Sequence, residues 1–338
     1  MLFSRRSLPR RADLSPPPVA DAYQVQTTWD IAYGSHPLQV MDIWEPKGGP
    51  ARAIPGFLVI HGGGWDGGDK TGSLTNAACM RLAQQGYIAF NINYRLVEGS
   101  DDADQLPNPA ASNTFPIALL DAQLAIRWVR AHSVRYSVDS RRIIALGFSA
   151  GGHLAAFLGV LNSNFPGKSR PELNEYSPSV ACAVAHSAPI DLTRAVTGPP
   201  NSLDNWSEKA LVNVEPIPEN ISAYKDASPI YHVGYSSAPM YLSGGKEDNL
   251  VPPAPHADME AALKSNGVPA YYKSYDGGHL FEALLRSEAW AIFDEGTAWA
   301  LANARETRST VNVGRPRRPM IMRGFDGAPR LPPRVSPR

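Results

Sequence analysis

Ser149 stands among small residues in Gly147-Phe148-Ser149-Ala150-Gly151, and the flanking sequence says what kind of turn it occupies. The apolar run Ile143-Ile144-Ala145-Leu146 leads into it, and Gly152-His153-Leu154-Ala155-Ala156-Phe157 opens a helical stretch directly after it. A serine on a tight strand-to-helix turn takes strained backbone angles, so the residues two positions to either side must lack bulk, and here both are glycine. The helix N-terminus adds positive potential beside an oxygen that gains charge. This is how a nucleophile that attacks a carbonyl carbon is presented; the bland alternative is a glycine-rich turn with a capping serine.

A second motif, His61-Gly62-Gly63-Gly64-Trp65, follows the apolar run Phe57-Leu58-Val59-Ile60. Three glycines after a strand let backbone N–H groups turn toward an anion, which a tetrahedral intermediate needs. A phosphate-binding loop would continue with Lys-Ser/Thr or carry GxGxxG on a helix, and Trp65-Asp66-Gly67-Gly68 does neither. A nucleophile needs a base and an acid from later loops. His279 lies just after the strand candidate Ala270-Tyr275, and Asp248 lies after Met240-Ser243, so the order Ser149, Asp248, His279 fits a hydrolase on an α/β sheet. Glu247 is the rival acid. His61, His153 and His186 read as structural, and no HxH, HExxH or Cys/His cluster offers a metal site. Trp65, Phe148 and Trp206 are candidates for an apolar pocket wall, with simple packing as the alternative reading of each.

These residues need a scaffold. Apolar runs at Phe57-Ile60, Ile88-Ile92, Ile143-Gly147, Val180-His186, Met240-Ser243 and Ala270-Tyr275 alternate with helical patterns near Ser73-Gln85, Pro116-His132, Ala150-Leu161, Pro255-Ser265 and Phe281-Asn303. That alternation predicts an α/β class chain, a mostly parallel sheet with helices on both faces. In the 116–132 helix, Ile117, Leu120, Ala125, Trp128 and Val129 fall near one face, with Asp121 and Arg127 elsewhere. Two runs near Gln24-Tyr33 and Gln39-Trp44 flank Gly34-Ser35-His36-Pro37 and predict an antiparallel hairpin ahead of the parallel part. Residues 191–228, interrupted by Pro199-Pro200, Pro216 and Pro218, read as an insertion over the sheet's carboxyl edge.

The chain has 338 residues and a formal net charge of zero, unevenly spread. Residues 305–338 carry nine Arg against Glu306 and Asp326, a net of +7, and residues 1–22 carry +2, which leaves the middle at −9. Both ends, rich in Pro and Arg, read as disordered extensions around one domain at 23–304. No nucleic-acid partner is expected from them. Cys79 and Cys182 fall in a helix and a buried strand, which argues against a disulfide and fits a reducing compartment. The Arg pairs at the N-terminus are followed by Pro9, Asp13 and Pro16-Pro17-Pro18 instead of an apolar signal core, and no run reaches the roughly eighteen apolar residues of a membrane span. A cytoplasmic location is the expectation.

Taken together, His61-Gly62-Gly63-Gly64-Trp65, Asn93-Tyr94-Arg95, Gly147-Phe148-Ser149-Ala150-Gly151-Gly152-His153, Asp248-Asn249-Leu250-Val251-Pro252 and Gly278-His279 resemble the α/β-hydrolase esterases of the hormone-sensitive-lipase and bacterial feruloyl or acetyl esterase type, over about residues 38 to 300. The resemblance implies a serine carboxylic-ester hydrolase that works through an acyl-enzyme on short-chain or aryl esters. It implies an oxyanion hole from the N–H groups of Gly62, Gly63 and Ala150, Asp248 as the acid, a small-molecule ester as substrate, and no cofactor. The absence of a long helical segment before the first strands places the chain nearer the feruloyl and acetyl branch. It departs from the pattern in having one extra residue between His279 and the aromatic that often follows directly. An arylformamidase-like amidase on the same triad, and a non-catalytic binding protein of this fold, are the alternative readings.

Overall fold

The structure, a computed structural model, describes residues 19–99, 107–161, 163–165, 172–197, 206–281 and 286–307. Its eight strands are β1 (Val25–Ala32), β2 (Val40–Pro46), β3 (Ile54–Ile60), β4 (Ile88–Ile92), β5 (Val138–Phe148), β6 (Cys182–His186), β7 (Met240–Gly245) and β8 (Ala270–Tyr275). They form one sheet in the order β1-β2-β4-β3-β5-β6-β7-β8. β1 and β2 make the expected antiparallel hairpin, β2 runs antiparallel to β4, and every later pairing is parallel. The described helices are α1 (Ser73–Gln84), α2 (Ile117–Ala131), α3 (Ala150–Val160), α4 (Arg194–Thr197), α5 (Trp206–Val212), α6 (Ile221–Asp226), α7 (Ala254–Ser265) and α8 (Arg286–Asn303).

Side chains alternate across a strand, and β3 shows how this builds two cores. Leu58 and Ile60 join Phe90, Ile126, Leu154, Phe157 and Leu263 on the face covered by α2, α3 and α7. Phe57 and Val59 join Leu82, Ile144, Leu146, Val184 and Phe293 on the face covered by α1 and α8. All five residues of β4 and of β6 are buried, as expected for parallel strands clothed on both sides. Cys79 and Cys182 are free and buried.

α2 is buried nearly all round, Asp121 and Arg127 included. The fully buried Asp121 carboxylate receives Arg95 through Nε at 2.8 Å and Nη2 at 2.5 Å, and Gln39 Nε2 at 2.8 Å. Arg127 donates to the carbonyl oxygens of Leu173 and Tyr176. A charge that is paired, or that meets several carbonyl oxygens, can be buried where a bare one cannot. Beyond α8, Arg305 N–H donates to Ala181 O and Thr307 N–H to Arg141 O, both at 2.9 Å. The expectations for residues 1–18 and 308–338 lie outside the described residues. Among the described residues no helix is long and apolar enough to cross a membrane.

Candidate active site

β5 ends at Phe148 and α3 begins at Ala150, so Ser149 is the whole of the turn between them. Its backbone stands at φ 53°, ψ −121°, a strained conformation for a residue with a side chain, of the kind that persists where the surroundings over-determine it. The Ser149 N–H is anchored on His186 O at 2.9 Å. The turn is too crowded for bulk on either side: a Cβ on Gly147 would meet Gly151 O at 2.0 Å, and one on Gly151 would meet Ile60 O at 2.2 Å and His61 O at 2.4 Å. Gly151→Ala should therefore destabilise the fold by on the order of 4 kcal/mol or more, since backbone carbonyls cannot rotate away as a side chain can. Thermal unfolding read by circular dichroism checks this; a melting temperature within a degree or two of wild type would contradict it.

The candidate base and acid, His279 and Asp248, follow the ends of β8 and β7. His279 Nε2 lies 3.0 Å from Ser149 Oγ, and His279 Nδ1 lies 2.8 Å from Asp248 Oδ2. A carboxylate can only accept, so Nδ1 carries the proton and the Nε2 lone pair faces the serine hydroxyl. Asp248, 3% exposed, is held by Leu250 N–H at 3.0 Å and Val251 N–H at 2.8 Å on its other oxygen. The rival Glu247 is exposed, and Asp276 pairs instead with Lys246 Nζ at 2.5 Å.

The glycine loop lies against the serine turn. A Cβ on Gly62 would stand 2.9 Å from Phe148 O and 3.0 Å from Ser149 Cβ, so only glycine allows this approach. The loop is braced by His61 Nδ1–H on Gly62 O at 2.7 Å and by Gly67 N–H on Gly63 O at 2.8 Å. The Asn93-Tyr94-Arg95 segment fastens it to the sheet. Tyr94 O–H donates to His61 O at 3.1 Å, Asn93 Nδ2 donates to Asp69 at 2.6 Å, and the Asn93 side-chain oxygen accepts Lys70 N–H at 2.5 Å.

A cavity of about 410 Å³ opens beside the serine, lined by Gly62, Gly63, Phe148, Ser149, His279 and, on its far side, Leu74 and Leu250. Trp65 is not part of that lining. It is buried at φ 65°, and its indole N–H donates to His153 Nδ1 at 3.2 Å. There it shares a small core with Leu192, Leu211, Tyr224 and Ala227, all from the 191–228 segment. An aromatic beside three glycines can be turned to either side of the loop, which is why sequence could not place it. Phe148 borders the cavity but is stacked on His186, ring centroids 5.2 Å apart. The side chain of Trp206 lies outside the described residues. Among the described residues no group of three or more His, Cys, Asp or Glu side chains could hold a metal ion.

A nucleophile elbow on the central strand of a mostly parallel sheet, with acid and base on later strand ends, defines the α/β-hydrolase fold. Residues 41–263 match the BD-FAE family model, and the chain belongs to this esterase family. It is 32% identical over 225 residues to LipM of Mycobacterium tuberculosis, described as a probable carboxylic ester hydrolase; the match covers 66% of this chain and 48% of LipM. It is 29% identical over 257 residues to the esterase LipC of the same organism, covering 75% of this chain and 60% of LipC. The chain thus spans about half to three-fifths of the length of these relatives. Among solved structures, a truncated carbohydrate esterase from gut microbiota superposes with a TM-score of 0.63 at 23% identity, over 83% of this chain and 99% of that one.

Proposed function

We propose that the protein hydrolyses carboxylic esters of short-chain or aryl acids by a serine mechanism. Ser149 Oγ attacks the ester carbonyl carbon while His279 Nε2 takes its proton, and Asp248 keeps the imidazole in the working tautomer and stabilises the imidazolium. The carbonyl oxygen becomes an oxyanion facing the N–H groups of Gly62, Gly63 and Ala150. Collapse breaks the ester C–O bond, and His279 returns the proton to the departing alkoxide. Water, deprotonated by the same imidazole, then attacks the acyl-serine and releases the acid. The observation that carries this reading is the continuous relay from Asp248 through His279 to Ser149, at 2.8 and 3.0 Å. Membership of an esterase family supports it. The size of the cavity, about 410 Å³, and its apolar walls favour a compact acyl group over a long lipid chain.

The test is turnover of p-nitrophenyl esters from acetyl to decanoyl, with methyl ferulate and N-formylkynurenine alongside. Hydrolysis of the short or aryl esters, falling off toward decanoyl, is the expected result. Turnover of N-formylkynurenine alone would move the reading to an amidase. No turnover of any of these by folded protein would remove it.

A further inference from the structure

We propose that Ser187 and Tyr275 are positioning residues: a buried pair of hydroxyls that clamps the His279 loop from both sides and so sets where the imidazole stands between Asp248 and Ser149. This rests on the hydrolase reading above. Ser187 follows β6 directly and is fully buried; Tyr275 is the last residue of β8 and is 5% exposed. Their oxygens lie 3.1 Å apart. Ser187 Oγ accepts the N–H of Leu280 at 3.2 Å, and Tyr275 Oη accepts the N–H of Phe281 at 3.1 Å. Tyr275 Oη also reaches Gly278 O at 3.4 Å, the weakest link of the set.

Two hydroxyl protons satisfy all of this in one way. The Gly278 carbonyl can only accept, so the Tyr275 O–H points to it, and the Ser187 O–H is then left to donate to Tyr275 Oη. Each hydroxyl oxygen still accepts one backbone N–H. The carbonyl just before His279 and the two amides just after it are thereby tied to the ends of two strands.

Backbone strain collects at the same place. Ser187 (φ 46°), Leu280 (φ 49°) and Phe281 (φ 68°) are all left-handed without being glycine. Such residues persist only where their surroundings over-determine them. Leu280 is also the extra residue between His279 and its following aromatic, so the clamp accommodates a departure from the usual pattern. The Phe281 ring, set by this turn, packs on Tyr275 and His186 with centroids 5.3 and 5.4 Å apart. Nothing in sequence spacing links Ser187 to Leu280, which lies 93 residues away.

The variants Tyr275→Phe and Ser187→Ala remove one oxygen each and leave the ring and backbone in place. In the full chain with p-nitrophenyl acetate, each should lower kcat by about tenfold to a hundredfold with KM within about twofold, because a small displacement of a catalytic group costs rate and not ground-state binding. The double variant should be close to the worse single, since both act through one loop. The readout that a merely structural role would not move is the low-field proton NMR signal of the His279 Nδ1–H on Asp248, which should broaden or vanish in folded variants. The proposal is overturned if that signal is unchanged in both variants and kcat stays within about twofold of wild type, or falls only with the folded fraction. The NMR arm needs no turnover. An inactive wild type would therefore sink the hydrolase reading while the signal still decides the clamp.

Discussion

Ser149→Ala is expected to lower kcat for p-nitrophenyl acetate by about 10⁵-fold to 10⁶-fold while the chain stays folded. Among the described residues the Ser149 hydroxyl has His279 alone as side-chain partner, at 3.0 Å, and alanine occupies the same strained backbone with a smaller side chain, so the elbow keeps its shape. His279→Ala should cost about as much, and the pair together little more, since nucleophile and base act as one unit. Asp248→Asn should cost about 10⁴-fold, because the amide can donate to Nδ1 and so favours the tautomer that lacks a lone pair at Nε2. Some acceleration over water should survive in every variant from the N–H groups of the glycine loop. Initial rates at saturating ester measure this. Ser149→Ala protein retaining a tenth of wild-type kcat would rule out the assigned nucleophile.

The second large effect concerns acid. His153, His186 and His256 are fully buried, and burial pushes their pKa values down to about 4, about 3 and about 4 from the ordinary 6.5. His153 shows why: its Nε2–H donates to Ala227 O at 2.9 Å and its Nδ1 accepts the Trp65 indole, so a second proton would have no place to go. His61 is depressed in the same direction by the same cause. Between the folded and unfolded values the unfolded chain binds more protons. The stability these groups hold is therefore complete above about pH 6.5 and is lost as the pH falls toward 4. At pH 5 each of the three would have given up about 2 kcal/mol, together about 6 kcal/mol, on the scale of a whole domain's net stability. Urea unfolding at pH 7.5 and 5.5 should differ by about 4 kcal/mol in favour of the higher pH. Equal midpoints at the two values would mean that these histidines are not held neutral in the fold.

How legible the site was follows from how local each part of it is. The elbow and the glycine loop could be read because the backbone itself needs glycine: the 2.2 Å from a Gly151 Cβ to Ile60 O permits nothing larger. Asp248 and His279 could be picked out because each falls in the first loop after a strand candidate, the apolar β7 and the tyrosine-rich β8. β5 is longer than its expected core of Ile143-Gly147, because Val138-Asp139-Ser140-Arg141-Arg142 is polar and yet continues the strand. The described part of α8 starts at Arg286, and Phe281, where the helix was expected to start, is left-handed together with Leu280. Trp65 and the Ser187–Tyr275 pair were not legible at all. Their roles depend on which residues a folded sheet brings opposite them, and a one-dimensional pattern does not carry that.

One consequence of the strand order concerns time. β6 and β7 lie between β5, which ends just before Ser149, and β8, which precedes His279, so the 130 residues separating the proposed nucleophile from the proposed base include every strand on that side of the sheet. Each parallel pairing on that side, Ile144 with Cys182, Ala183 with Met240 and Met240 with Ala270, has to close a crossover before its contacts reward the loop entropy. A chain emerging from the ribosome makes the elbow and the glycine loop long before the base exists. Until the last strand docks, Ser149 has no imidazole beside it, so on the proposed mechanism a half-made copy would not turn over esters.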